Sequence, residues 1–164
     1  MIVLAFDPGA HVGTALLETQ GGGRRPRYCA GGEIGPSVEE VRWMLTQSVR
    51  AGADRVVIES EPPGQAKKAH VTRKGGRKVD ISGPLQDMAQ VAGLIYGMAT
   101  SMGFDVVWMP ATKWRRIVCG KATATDAEVK HMVTMLVEGL PAKTNTHVRD
   151  AVGCALGATL TGMR

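Results

Sequence analysis

The sequence predicts an α/β fold in which a mixed sheet of five strands carries helices on both faces. Two short apolar runs without polar alternation, at 2–6 and 55–59, are typical of strands covered on both faces. Two further strands, near 14–18 and 27–34, come before the first helix and indicate an antiparallel part, after which strands alternate with helices. The chain has 164 residues, so we expect 1–164 to form a single domain.

Capping signals mark where the predicted helices begin. Ser37 with Glu40, and Thr125 with Glu128, have the spacing of capping boxes. A fifth strand is predicted over 104–109, and a last helix follows near the end of the chain. The residues expected to face the core are Val38, Val41, Leu45 and Val49 in the first helix, Val129, Met132, Val133 and Leu136 after Thr125, and Val148, Ala151, Val152, Ala155, Leu156 and Thr159 in the last helix.

The helix predicted to begin at Ser82 and to run to about Met102 is apolar over more of its surface than one core face covers. One interpretation is that a partner subunit covers the excess. The other is that the helix lies at the centre of a thick core. The apolar stripe consists of Leu85, Met88, Ala92, Ile95, Ala99 and Met102, and it is widened by Val91, Leu94 and Met98.

The composition excludes several classes of protein. With 44% apolar and 21% charged residues, the chain is a globular protein and not a disordered one. It contains no run of about 18 apolar residues and no basic segment before the apolar start, so we expect neither a membrane span nor a signal peptide. Cys29, Cys119 and Cys154 have no zinc-ligand spacing, and we expect a reducing compartment, the cytoplasm.

The net charge of +5 comes from one segment. Residues 64–79 contain six cations and no acid, and they include Gly75 and Gly76. Such a run is often only a solvated loop, but here it predicts a mobile cationic arm whose best partner is nucleic acid. A second basic group surrounds Trp114. The residues expected to bind DNA are Lys67, Lys68, Arg73, Lys74, Arg77, Lys78, Lys113, Arg115, Arg116 and Lys121.

Two carboxylates stand at the ends of the doubly buried strands. Asp7 follows the first strand and Glu59 ends the other, so both emerge at one edge of the sheet if the strands are parallel neighbours. Each acid alone is also compatible with a simple turn or cap. Glu61 is a rival to Glu59 because residues two apart on a strand point the same way. We favour Glu59, since Pro62 and Pro63 make Glu61 a loop residue.

His147 and Asp150 are three residues apart at the start of the last helix and therefore share a face. An exposed first turn is the alternative explanation. Three carboxylates brought together either protonate in part or bind cations, and oxygen ligands with one imidazole suit Mg²⁺ or Mn²⁺ better than zinc. This indicates two-metal phosphodiester chemistry. The predicted catalytic and metal-binding residues are Asp7, Glu59, His147 and Asp150, with His147 either a ligand or a group that orients water.

With these residues the chain resembles the RuvC Holliday junction resolvases, which have the ribonuclease H-like fold. The resemblance runs over most of the chain and is strongest in the last third. Its motifs are Asp7-Pro8-Gly9, Val57-Ile58-Glu59, Val118-Cys119-Gly120, Val129-Lys130-His131-Met132-Val133, Leu140-Pro141, Asp150-Ala151 and Ala155-Leu156, in the family's order and spacing.

The resemblance implies an endodeoxyribonuclease that resolves four-way DNA junctions by paired symmetric nicks, with two Mg²⁺ ions per site or Mn²⁺ instead. It implies a homodimer, for which we nominate the helix over about 83–102 as the interface. Arg115 stands where members often carry a DNA-contacting lysine. Two departures from the family stand out. His147 replaces an aspartate that many members have, although some members also have histidine there, and the loop after Glu59 is longer and more basic and has no aromatic residue.

Other functions remain open at the level of the sequence. A nuclease of the same fold that cuts RNA, flaps or forks would use the same acids, and a non-catalytic protein that binds junctions would share the basic segment. An actin-like phosphotransferase would share Asp7-Pro8-Gly9, but the cleft between two such domains needs a chain about twice this length.

Overall fold

The computed structural model describes residues 1–19, 24–60, 72–74, 77–79 and 82–161. In chain order, the elements are β1 (Ile2–Asp7), β2 (Val12–Glu18), β3 (Arg27–Ile34), α1 (Val38–Arg50), β4 (Arg55–Ile58), β5 (Thr72–Lys74), β6 (Arg77–Val79), α2 (Ser82–Ser101), β7 (Asp105–Trp108), α3 (Ala111–Cys119), α4 (Asp126–Leu136) and α5 (Thr146–Thr161).

A five-stranded mixed sheet in the order β3-β2-β1-β4-β7 forms the centre of the fold. β1 pairs antiparallel with β2 and parallel with β4, and β7 extends the parallel part. From Val3 to Phe6 the side chains of β1 have no solvent exposure, as expected for a strand covered on both faces. The predicted α/β class with five strands and helices on both faces is confirmed.

The two faces of the sheet support two separate apolar clusters. Val3 and Ala5 point to the side of α3, α4 and α5, while Leu4 and Phe6 point to the side of α1 and α2. α5 is buried almost all round between Val148 and Thr159, because α3 and α4 cover the side that does not contact the sheet. All six core positions predicted for the last helix, including Thr159, are buried.

In α1 the predicted core face is only partly right. Val41 and Leu45 are buried, but Val38 and Val49 are 42% and 49% exposed, and Met44 is buried instead. Val38 and Val49 lie at the two ends of α1, beyond the central turns that pack on the sheet. The side chain of Ser37 caps the helix by accepting a hydrogen bond from the Glu40 N–H, which is one half of the predicted capping box.

In α2 the described part of the predicted stripe is buried at its centre, and the side chain of Leu85 lies outside the described residues. Ala92, Ile95 and Ala99 are buried, whereas Met88 and Met102 are 40% and 39% exposed. Val91, Leu94 and Met98, which widen the stripe, are half-buried against the apolar cluster on the α1–α2 side of the sheet. This core therefore already covers part of the additional apolar surface of α2. The helix ends at Ser101, one residue before the predicted end.

One helix and one two-stranded hairpin were absent from the sequence prediction. α3 was missed because it is only nine residues long and has just two buried side chains, Trp114 and Val118, among basic ones. Trp114 was grouped with the basic residues, but it is fully buried against α5. The segment predicted as a mobile arm contains the β5–β6 hairpin, paired antiparallel through Arg73 and Lys78, with two glycines between its strands in the sequence.

No helix in the described part of the chain is both long enough and apolar enough to cross a membrane.

Candidate active site

The ends of β1 and β4 bring Asp7 and Glu59 together. In the parallel register Phe6 lies beside Ile58, and the Glu59 N–H donates to the Phe6 carbonyl at 2.8 Å. The next residues, Asp7 and Glu59, therefore leave the sheet side by side at its carboxyl edge. This is the neighbouring parallel arrangement on which the predicted pairing of the two acids depended. Glu61 lies outside the described residues.

The start of α5 packs directly on this edge. Gly13 is the β2 partner of Asp7, and a Cβ added there would lie 2.2 Å from the backbone oxygen of His147. Only glycine allows the helix to approach so closely. Asn145 caps the helix, since its Oδ1 accepts from the Val148 N–H at 2.8 Å. Gly13 and Asn145 thus determine where α5 begins and how closely it approaches the sheet.

This packing places His147 and Asp150 beside the strand-end acids. His147 Nδ1 lies 2.9 Å from Asp7 Oδ2, in a hydrogen bond that joins α5 to β1. Asp150, one turn later, is buried and accepts a hydrogen bond from Arg115 Nη2 at 3.1 Å. All four residues predicted to form the site, Asp7, Glu59, His147 and Asp150, are therefore gathered at one edge of the sheet.

Burial and mutual repulsion make these acids hold their protons more strongly than usual. Burial raises the pKa of Asp7 to about 6, with Asp150 adding to the rise and the His147 hydrogen bond opposing it. Burial, together with the charges of Asp7 and Asp150, raises the pKa of Glu59 to about 8. The pKa of Asp150 is also raised by burial, against the opposing effect of Arg115. Because burial is the largest cause in each case, the metal-free site favours the protonated form of these acids more than water does.

Two oxygens of the site have no partner. Glu59 Oε2 and Asp150 Oδ1 are buried side-chain atoms without a hydrogen bond. The indole N–H of Trp114 is also unpaired, although it is close enough to Glu59 to oppose the rise of its pKa. Unpaired buried carboxylate oxygens are suitable ligands for a hard divalent cation. Among the described residues, no three His, Cys, Asp or Glu side chains are already arranged around a single cation position.

The predicted DNA-binding residues fall into four groups. Lys113 and Arg116 are exposed on α3, and Lys121 is exposed but forms an ion pair with Glu128. Arg115 is different, since it points inward to Asp150. Lys67 and Lys68 lie outside the described residues. The remaining four belong by their backbone to the β5–β6 hairpin: Arg73, Lys74, Arg77 and Lys78.

Sequence reasoning missed several residues that shape the site. Gly13 gave no signal, because the need for a missing Cβ arises only from the approach of α5. Asn145 was recognisable as a potential N-cap. It also donates through Nδ2 to Glu33, which pairs with exposed His11 at 2.8 Å. The inward bond of Arg115 had no sequence signal, because its partners come from other elements.

The chain is similar to known junction-cutting proteins in both sequence and fold. It is 26% identical over 155 residues to the crossover junction endodeoxyribonuclease RuvC of Hahella chejuensis, in an alignment that covers 94% of this chain and 84% of that protein. It superposes on Thermus thermophilus RuvC in complex with Holliday junction substrate with a TM-score of 0.76, at 18% identity, over 99% of this chain and 94% of the other. The fold is that of RuvC, and the predicted family resemblance is confirmed.

A more distant RuvC-like fold is found in a viral protein. The fowlpox virus resolvase, in its complex with substrate Holliday junction DNA, gives a TM-score of 0.56 at 10% identity and covers 97% of this chain. No protein-family model matches the sequence. The assignment to the RuvC fold therefore depends on the pairwise similarities and on the architecture.

Proposed function

We propose that this chain is a structure-selective endodeoxyribonuclease that resolves four-way DNA junctions by paired symmetric nicks. One observation carries the proposal: Asp7, Glu59 and Asp150 meet at the carboxyl edge of a RuvC-like sheet, where two of their buried oxygens have no partner. The crossover junction activity named for the Hahella chejuensis relative and the Holliday junction bound by Thermus thermophilus RuvC support the choice of substrate.

The acidic cluster is suited to divalent cations. We propose that Asp7, Glu59 and Asp150 hold two Mg²⁺ ions, with Mn²⁺ as the alternative, because hard oxygen ligands favour these ions. Bound there, such ions would activate water and stabilise the leaving 3′ oxygen in phosphodiester hydrolysis. The unpaired oxygens of Glu59 and Asp150 and the raised pKa values of all three acids support this assignment.

The protein's own groups have distinct tasks in this proposal. Asp7 accepts the His147 hydrogen bond through Oδ2, which fixes the orientation of its carboxylate. His147 is 45% exposed in its side chain, so its ring is accessible beside the strand ends and can also orient a water molecule. Gly13 and Asn145 fix the start of α5 and with it the positions of His147 and Asp150.

Two symmetric cuts require two sites, and we propose that a homodimer supplies them. A compact monomer of this length has a radius of gyration of about 15 Å, which covers about one duplex arm. On α2, Met88 and Tyr96 are each 40% exposed, and they support the helix over 83–102 as the interface.

We further propose that residues 1–164 act as a single nuclease domain. The cytoplasm stays a prediction, based on three cysteines that are free in the structure.

An end-labelled four-way junction incubated with the protein and Mg²⁺ tests the proposal. We expect nicks at symmetric positions on two opposing strands, and none without a divalent cation. Linear duplex, flap and RNA-containing substrates of the same sequence serve as controls. Tight binding of the junction without metal-dependent nicking would instead identify a non-catalytic junction-binding protein, and faster cutting of flaps or RNA would identify a different nuclease of this fold.

A further inference from the structure

Arg115 is a cation in direct contact with the acidic cluster, and two hydrogen bonds hold it in place. Its Nη2 donates to Asp150 Oδ2 at 3.1 Å, and its Nη1 donates to the Ala124 carbonyl at 3.0 Å. The guanidinium carbon lies 5.2 Å from the ring centroid of Trp114, and the side chain is 22% exposed. A guanidinium tied to two different elements is not a free arm reaching for a DNA phosphate.

Arg115 acts on all three carboxylates. It occupies Oδ2 of Asp150 and leaves Oδ1 of the same carboxylate buried and unpaired. It also lowers the pKa of Asp7 and of Glu59 through its charge, so both acids are within its electrostatic reach. A fixed positive charge at this place has two effects: it orients Asp150, and it repels any further cation that approaches the three acids.

We propose that Arg115 is a positioning residue and an internal counter-ion, which orients Asp150 and weakens the binding of divalent cations to the three carboxylates. This inference rests on the proposed function, because it assumes that Asp7, Glu59 and Asp150 bind such cations. It gives Arg115 a task different from the DNA contact that the family resemblance implied. The ion pair between the same Nη2 and the exposed side chain of Asp126, at 3.8 Å, is a lesser contact.

A titration with Mg²⁺ in the absence of DNA tests this proposal. Thermal unfolding is followed against Mg²⁺ concentration for the wild type, for Arg115→Met and for Arg116→Met. Arg116 is exposed on the same helix, so Arg116→Met changes the net charge by the same amount as Arg115→Met but leaves the surroundings of the three acids unchanged. We expect the Mg²⁺ concentration for half-maximal stabilisation to fall about tenfold in Arg115→Met and to stay within about twofold of the wild type in Arg116→Met.

A second readout separates positioning from charge. At saturating Mg²⁺, Arg115→Met should cut junctions more slowly because Asp150 is no longer oriented. Arg115→Lys keeps the charge but cannot bond both Asp150 and Ala124 in the same way, so it should keep the wild-type Mg²⁺ midpoint and still cut more slowly. If Arg115→Met does not fold, Arg115→Gln provides the neutral variant for the same titration.

Three results would overturn the inference. An unchanged or higher Mg²⁺ midpoint in the neutral variant, with normal junction cutting by the wild type, rejects the counter-ion role alone. An unchanged midpoint with weaker metal-free junction binding identifies Arg115 as a DNA contact. A wild type that Mg²⁺ neither stabilises nor activates on junctions rejects the proposed function together with the inference.

Discussion

The two faces of the sheet differ in how completely they are closed. On the α5 side, Trp114 is fully buried and packs on Gly153 and Gly157, where an added Cβ would lie 2.5 and 2.7 Å from Trp114 atoms. On the α1–α2 side, large apolar side chains remain exposed, with Trp43 at 57% and Tyr96 at 40%. The α5 side also exposes Met135 and Leu160, but the α1–α2 side presents the larger number of exposed apolar side chains.

This difference indicates a division of tasks between the faces. The closed face carries α5, so it holds His147 and Asp150 rigidly against the ends of β1 and β4. The open face carries exposed apolar side chains of α1 and α2, which are accessible to another subunit. The acidic site needs fixed geometry, and the side of the sheet that supports it is the more tightly packed one.

The largest expected effect is on catalysis at the closed face. Asp7→Asn keeps the size of the side chain but removes the negative charge at the junction of β1 and α5. We expect cleavage of a four-way junction to fall by about 10³-fold or more, while binding of the junction is retained, because the acid serves the chemistry and not the DNA contact. Single-turnover cleavage and a gel-shift titration measure the two quantities. Comparable nicking by the variant would remove Asp7 from the site.

Gly153→Ala tests the packing of the closed face. The new Cβ would lie 2.5 Å from the Trp114 ring, so Trp114 or α5 must move, and we expect the free energy of unfolding to fall by about 3 kcal/mol. Gly93→Ala on α2 is the matched control, since a Cβ there meets nothing within 4 Å. The control should gain about 0.5–1 kcal/mol from helix propensity. Equal effects in urea unfolding would contradict the contrast between the faces.

The pH dependence of stability tests the buried charge at Glu59. Its pKa of about 8 in the folded protein exceeds its ordinary value of 4.5, so the folded state retains a proton that the unfolded state releases. The metal-free protein should therefore lose stability as the pH rises from about 4.5 to 8. Glu59→Gln removes this loss and should be roughly 2 to 3 kcal/mol more stable than the wild type at pH 8, with little difference at pH 4.5.

Urea unfolding in EDTA at the two pH values measures this effect. Added Mg²⁺ should stabilise the wild type at pH 8 more than it stabilises Glu59→Gln, because the variant lacks one carboxylate. If the wild type instead becomes more stable than Glu59→Gln between pH 4.5 and 8, the pKa of Glu59 is not raised in the folded protein.

The smallest expected effect on monomer stability is at the open face. Met88 is 40% exposed on α2, so Met88→Glu should change the unfolding free energy of the monomer by less than about 0.5 kcal/mol. If α2 forms the subunit interface, the added charge should shift sedimentation from dimer to monomer and replace paired nicks by single ones. Sedimentation of the wild type as a fully active monomer would reject the proposed interface.

Much of the site could be predicted from the sequence because its signals are local. An acid directly after a doubly buried strand, as with Asp7 and Glu59, and an i, i+3 pair at a helix start, as with His147 and Asp150, are visible without coordinates. The complete capping box of Thr125 and Glu128 is equally local, and it is present in the structure. Core faces were less predictable at helix ends, where Val38 and Val49 lie beyond the packed turns.

The identities of the strand-end acids and the order of the five sheet strands and four predicted helices were determined by the sequence alone, because strand and helix periodicity and capping depend on near neighbours. Three features were decided only by tertiary structure: the missing Cβ of Gly13 under His147, the burial of Trp114 between glycines of α5, and the inward turn of Arg115 to Asp150. Each of these depends on a contact between residues more than thirty positions apart. Such contacts exist only once the sheet has brought those elements together.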